Sequence, residues 1–217
     1  MTPRRIVVFT KHRFLGDTIA AEPLLAACRD AWPDATVEVV TGRGAATLLE
    51  GHPALHRVHA LDPRASRRGL AGSLRLTAAL VGLSRALRTP DLCLVPDRSL
   101  RTAAAARLTG APVRVGFDTE GRGRLLTHPI PYDDDRREVE CCLDLLRAVV
   151  PEPADAPWRV CPRLHPTDAE RAEGAAFLPD PDALWVGVQP GASHAVKAWP
   201  EASWVALGKA LLAEGCR

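Results

Sequence analysis

The chain has 217 residues, a formal net charge of +2, and 47% hydrophobic against 25% charged residues, which is the make-up of one large globular domain or one and a half. So small a charge gives no case for nucleic acid, and no apolar run approaches the ~20 residues a membrane-spanning helix needs. The six cysteines, Cys28, Cys93, Cys141, Cys142, Cys161 and Cys216, show no CxxC spacing, so neither a zinc site nor a disulfide framework is indicated and reduced thiols are expected. No secretory leader pattern precedes the first strand, and a cytoplasmic location is expected. The positive charge is nearly all arginine, Lys11, Lys197 and Lys209 being the lysines. Arginine suits phosphate and carboxylate ligands, although a general bias towards Arg, Ala and Pro gives the same count.

Ile6-Val7-Val8-Phe9 is an apolar run that predicts a first strand, followed by the basic, glycine-containing turn Lys11 to Thr18. Pro23 would break a helix interior, so a regular helix is expected from about Glu22, with Pro23 in its first turn, to Ala31; a kinked, longer helix is the alternative. Val37–Val40 reads as a second strand, Gly42–Leu49 as a short helix and Arg57–Leu61 as a third strand. An arginine-rich turn, Asp62 to Gly69, leads into an amphipathic helix over Leu70–Leu87, and Asp91–Val95 is a buried-type strand closed by Pro96. Ser99 is placed to cap a helix through Leu108, with Gly110 as its stop. Val113–Phe117 is a fifth strand, and the segment Asp118–Arg124 reads as irregular and mobile. Its Gly121-Arg122-Gly123 triplet follows the wrong strand and lacks a third glycine, so it is no dinucleotide fingerprint, which counts against a Rossmann-like oxidoreductase.

A helix is expected over Arg136–Val150, with Val139, Cys142, Leu143, Leu146 and Val149 on one side. Prolines at 151, 153, 157, 162 and 166 mark an interdomain linker. Thr167 to Glu170 is a capping box for a helix to about Phe177. Leu184–Val188 reads as a buried strand opening the loop Gln189–Ser193, and Pro200 starts a last helix with Trp204, Leu207, Leu211 and Leu212 inward and Gly215 as its stop. Strands alternating with helices predict an α/β fold with a parallel sheet. The expected organisation is a Rossmann-like domain over 1–155, a linker and connecting helix over 156–180, and an incomplete second Rossmann-like domain over 181–217, because ~35 residues cannot bury a core of their own.

Several segments together resemble glycosyltransferase family 9, the ADP-heptose:lipopolysaccharide heptosyltransferases. They are Phe14-Leu15-Gly16-Asp17 with Pro23-Leu24-Leu25; Ser99 to Thr102 and Arg107 to Ala111; Arg114-Val115-Gly116-Phe117; Glu138-Val139-Glu140 with Leu143 to Leu146; and Pro190 to Ser193 with Lys197-Ala198-Trp199-Pro200. Each motif is short, and their order over almost the whole chain carries the likeness.

The resemblance implies a GT-B architecture and an inverting sugar transfer from a nucleotide-sugar, ADP-heptose-like, to a saccharide or lipid-linked acceptor, in lipopolysaccharide biosynthesis. No cofactor, metal or nucleic acid is implied, and peripheral contact with the inner face of the membrane is expected. Asp17 would be the general base for the acceptor hydroxyl; the alternative is that it caps the following helix. Gly191, Ser193 and Lys197 lie on a strand-to-helix loop suited to a diphosphate, against the alternative of an exposed surface lysine. Lys11, Arg13, Gly16, Arg98 and Arg101 would bind the acceptor, the alternative for the cations being solvated strand-end and helix-face charge, while His12 reads as a surface loop residue. As an isolated piece the chain is expected to be inactive, and a non-catalytic acceptor-binding module or decayed relative is the rival reading.

Overall fold

The computed structural model describes residues 2–11, 14–61, 70–87, 89–150, 158–178, 180, 182–192 and 194–217. They divide into two compact units, Met1–His165 and Pro166–Arg217.

The first unit is a six-stranded, all-parallel sheet: β1 (Arg5–Phe9), β2 (Thr36–Gly42), β3 (Arg57–Leu61), β4 (Leu92–Val95), β5 (Val113–Phe117) and β6 (His128–Ile130), in the order β3-β2-β1-β4-β5-β6. The helices are α1 (Leu15–Ala31), α2 (Arg43–Leu49), α3 (Leu70–Ala86), α4 (Leu100–Leu108) and α5 (Glu138–Arg147). Side chains alternate across a strand, so the continuous apolar run of β1 feeds two cores. Ile6 and Val8 pack with Leu24, Leu25 and Cys28 of α1 and Leu143 and Leu146 of α5. Val7 and Phe9 pack on the opposite face with Leu76 and Leu80 of α3 and Ala103 and Ala106 of α4.

Three parts of the first unit differ from the expected form. Helix α1 begins at Leu15, not near Glu22, and Pro23 lies inside it. Proline removes one helical N–H, but the buried neighbours Ala21, Leu24, Leu25 and Cys28 hold the helix on the sheet through that break. Asp118–Arg124 is fixed rather than loose: Asp118 Oδ1 accepts Gly123 N–H at 3.1 Å, Gly121 takes a left-handed φ of +74°, and a 3-10 turn follows over Arg122–Leu125. β6 has no counterpart in the sequence reading, since Pro129 hides it; a proline is tolerated there because β6 is an edge strand.

The two units divide between His165 and Pro166, inside the segment 156–180 read as linker and connecting helix. Residues 151–157 lie outside the described part, and Trp158 to His165 stay with the first unit because Trp158 packs on its core and Glu22 accepts bonds from both Arg159 and Arg163.

The second unit holds α6 (Asp168–Ala176), entered through the expected capping box of Thr167 and Glu170, and α7 (Glu201–Ala213), entered at Pro200 and stopped by Gly215 with φ +81°. Leu184–Val188 does not form a sheet strand. Among the described residues its backbone pairs only with Arg217, Val186 N–H to Arg217 O and Arg217 N–H to Leu184 O, both at 2.9 Å. With no flanking strand, Leu184 and Val188 remain 66% and 47% exposed. Trp204, Leu207 and Leu211 are half-buried as the expected inward face of α7, but Leu212 is exposed. Among the described residues no helix is long and apolar enough to cross a membrane.

Candidate active site

The chain runs outward from β1 through β2 to β3, then returns to lay β4 on the other side of β1. Ligands of open α/β sheets bind beyond the carboxyl ends of the strands where the order reverses in this way. The residues leaving β1 and β4 at that point are Thr10, Lys11, Asp97 and Arg98.

Asp17 sits in the first turn of α1, three residues after the N-cap Phe14, and makes no capping bond. Its Oδ1 instead accepts from Lys11 Nζ at 3.1 Å, and the same ammonium donates to Oε1 of Glu138, the first residue of α5, at 3.0 Å. Tyr132 O–H donates to Glu138 Oε2 at 2.6 Å. The Tyr132 ring stands edge-on to Phe117 of β5 and carries the Arg98 guanidinium 4.0 Å above it; Arg98 also meets Asp134 at 3.4 Å. Two segments distant in sequence, 11–17 and 132–138, thus meet at one cation, with Arg98 packed on the Tyr132 ring behind them.

Burial alone would lower the Lys11 pKa, but the bonds to Glu138 and Asp17 outweigh it and hold the ammonium above its ordinary range. Glu138 responds in mirror fashion: burial would raise it, and the bonds from Tyr132 and Lys11 keep it lowered. Burial and the acceptor Glu138 push the Tyr132 phenol up, so it serves as a hydrogen-bond donor.

Beyond β5 lies a second cation. Arg122 is 2% exposed, donates from Nε to Thr119 O at 2.6 Å and meets the exposed Glu120 at 3.3 Å, while its Nη1 and the Thr119 hydroxyl are buried without partners among the described residues. Burial lowers its pKa against the pull of Glu120, Asp97 and Asp118. A buried guanidinium N–H left without any acceptor is costly.

Of the expected acceptor residues, the structure brings Lys11 and Arg98 into one network with Asp17. Gly16 lies exposed in the same helical turn, with nothing within 4 Å of the place a Cβ would take. Arg101 turns away to the Ser73 hydroxyl of α3. Arg13 and Ser193 are outside the described residues. Gly191 and Lys197 belong to the second unit, both exposed, with Lys197 in a 3-10 turn over Ala195–Lys197. Glu138, Tyr132 and Arg122 were not legible as site residues. Glu138 offered only its place in the Glu138-Val139-Glu140 motif, and Arg122 only the glycines around it.

One group among the described residues, Glu22, His52 and His165, has the spacing of metal ligands. It is already compensated. His52 Nδ1 accepts Ala54 N–H at 3.2 Å, which leaves Nε2 to donate to Glu22 Oε1 at 2.8 Å; Arg159 donates both Nη groups to the same carboxylate and Arg163 N–H adds a bond at 2.8 Å. A divalent cation would have to displace a guanidinium, so the cluster reads as a fastening of residues 158–165 onto α1.

The sequence model of glycosyltransferase family 9 (heptosyltransferase) matches residues 80–217. The chain belongs to glycosyltransferase family 9. Among solved structures, a family 9 glycosyltransferase from Veillonella parvula superposes with a TM-score of 0.83 at 18% identity, over all of this chain and 62% of that one. ADP-heptose lipopolysaccharide heptosyltransferase II of E. coli gives 0.69 at 21% identity, over 98% of this chain and 62% of that one. E. coli heptosyltransferase WaaC, solved with ADP, gives 0.66 at 20%, over 98% and 65%. This family 9 chain therefore has the fold of GT-B glycosyltransferases and spans less than two thirds of the length of these three structures. No curated protein sequence matches it.

Proposed function

We propose that this chain supplies the acceptor side of an inverting glycosyltransferase that moves a heptose-like sugar from a nucleotide-sugar to a saccharide or glycolipid. The observation that carries the reading is Asp17 at the switch point of the sheet, one carboxylate oxygen held by Lys11 and the other free of partners among the described residues. The acceptor hydroxyl attacks the anomeric carbon from the face opposite the diphosphate. As the new C–O bond forms and the bond to the diphosphate breaks, the hydroxyl proton passes to Asp17 and the bonding pair leaves on the diphosphate. A carboxylate is a weak base towards an alcohol, so it works only on a hydroxyl already acidified by bond formation, and position counts for more than basicity.

Lys197, Gly191 and Ser193 are assigned to the leaving diphosphate, whose charge they compensate without a metal. WaaC has been solved with ADP and with ADP-2-deoxy-2-fluoro heptose, which makes ADP-heptose the first donor to test. Arg98 favours an anionic acceptor, whereas Lys11, expected beside it, is taken up by two carboxylates. Exposed Phe14 and Leu15, 62% and 50% accessible beside Lys11, suit a lipid-linked acceptor presented at the cytoplasmic face of a membrane.

The test is ADP release from ADP-heptose by the complete protein with a glycolipid extract, together with calorimetric titration of the donor. Acceptor-dependent release with saturable donor binding supports the reading. Glycolipid binding without any nucleotide-sugar binding would make this a non-catalytic recognition module.

A further inference from the structure

Lys11 carries one charge and serves two carboxylates. Its ammonium sits 3.1 Å from Asp17 and 3.0 Å from Glu138, and the side chains of all three are between 17% and 29% exposed, so neither contact is a freely solvated pair. Glu138 is in turn fixed from its other oxygen by Tyr132, which is pinned between Phe117 and Arg98. The chain of contacts therefore runs from β5 and the β4 exit, through α5, to the first turn of α1. Glu138 and Lys11 each have a hydrogen-bonded neighbour on both sides, whereas the chain of contacts ends at Asp17 in an oxygen without a partner among the described residues.

We infer that Glu138 is a positioning residue for the transfer: it holds the Lys11 ammonium midway, so that Lys11 orients the Asp17 carboxylate without taking its charge up completely. The inference rests on the transferase reading above and deepens it. If Glu138 were neutral, Lys11 would close on Asp17 alone, forming a neutral pair that turns the carboxylate towards the lysine and away from the acceptor hydroxyl. The trio as built carries a net negative charge, one carboxylate more than the Lys11 ammonium can pair. The other groups facing it are the Tyr132 phenol, the Arg98 guanidinium, and the Cys141 and Cys142 thiols of α5; the Cys142 thiol is buried and held protonated by that burial. Lys11 is thus the cation in direct contact with both carboxylates.

The scarcity of lysine makes the linkage measurable without any substrate. Lysine is scarce, Lys11, Lys197 and Lys209 being the lysines of the 217 residues, so 13C-lysine labelling gives a sparse spectrum, and Lys11→Arg assigns the signal that matters. In the complete protein carrying Glu138→Gln, the Lys11 signal should titrate at a lower pH than in the wild type, because burial then acts against one carboxylate rather than two. In the ADP-release assay with ADP-heptose, the same variant should lose about tenfold in kcat, a part of what a general base supplies, with both KM values within about twofold. Glu138→Asp, which keeps the charge at a shorter reach, should fall between wild type and Glu138→Gln. A purely structural role would lower the melting temperature of both variants and leave kcat of the folded protein alone.

A Lys11 signal indifferent to Glu138→Gln overturns the trio. A rise in acceptor KM with unchanged kcat overturns positioning and makes Glu138 a binding residue. A wild-type protein that never releases ADP, although Lys11 answers to Glu138, sinks the transferase reading and leaves only the ion trio standing.

Discussion

Asp17 is a base candidate because of its surroundings rather than its residue type. Asp17→Asn should keep the fold, since the side chain is at the surface end of α1 and Lys11 retains Glu138, while kcat falls by about 10² or more. ADP release measured beside a thermal melt separates the two effects. Glu22, five residues along the same helix, is the opposite case: fully buried, with four donors on one carboxylate. Burial would raise its pKa, but the bonds from His52 and Arg159 and from Arg163 N–H bring it from 4.5 down to about 2. A lowered folded-state value means stability that is complete above pH 4.5 and lost as pH falls towards 2. Glu22→Gln should accordingly cost about 3 kcal/mol at neutral pH, the gap to wild type closing through that acid range in denaturant melts. Nothing in the local sequence distinguishes these two acids, since the partners of Glu22 lie 30 and 137 residues away and Glu138 of the Asp17 network is equally remote.

At the scale of elements, apolar patterning served best where it is redundant. The five strands of Ile, Val and Leu, the Ser99 cap and the Thr167 capping box were all legible, because each announces itself within a few residues. β6 and the early start of α1 were not, since both contain a proline whose cost is met by tertiary packing rather than by neighbours in sequence. Leu184–Val188 fails for the reverse reason: its residues are right for a strand, but a strand exists only beside another. Gly110 shows how strict a local requirement can be. It ends α4 with φ +78°, and a Cβ there would lie 2.9 Å from the Thr89 methyl. Gly110→Ala should therefore cost about 1–2 kcal/mol, read as a lower urea midpoint at unchanged slope.

For the molecule as a whole, the two units are unequal. The first has two apolar layers on a six-stranded sheet, whereas among the described residues of 166–217 only Cys216 is buried. Residues 1–165 expressed alone should unfold in one cooperative transition, and 166–217 alone should show none; circular dichroism against denaturant tests both halves. All six thiols are free, and burial drives Cys28, Cys93 and Cys142 out of the reactive range. Cys161 alone is exposed, and its carbonyl accepts from Arg159, the residue that grips Glu22. A maleimide dye offered in stoichiometric amount should settle on that single sulfur, so the native sequence already carries its own reporter: brightness or anisotropy at Cys161 would register the moment acid unclasps the 158–165 strap, with no engineered labelling position.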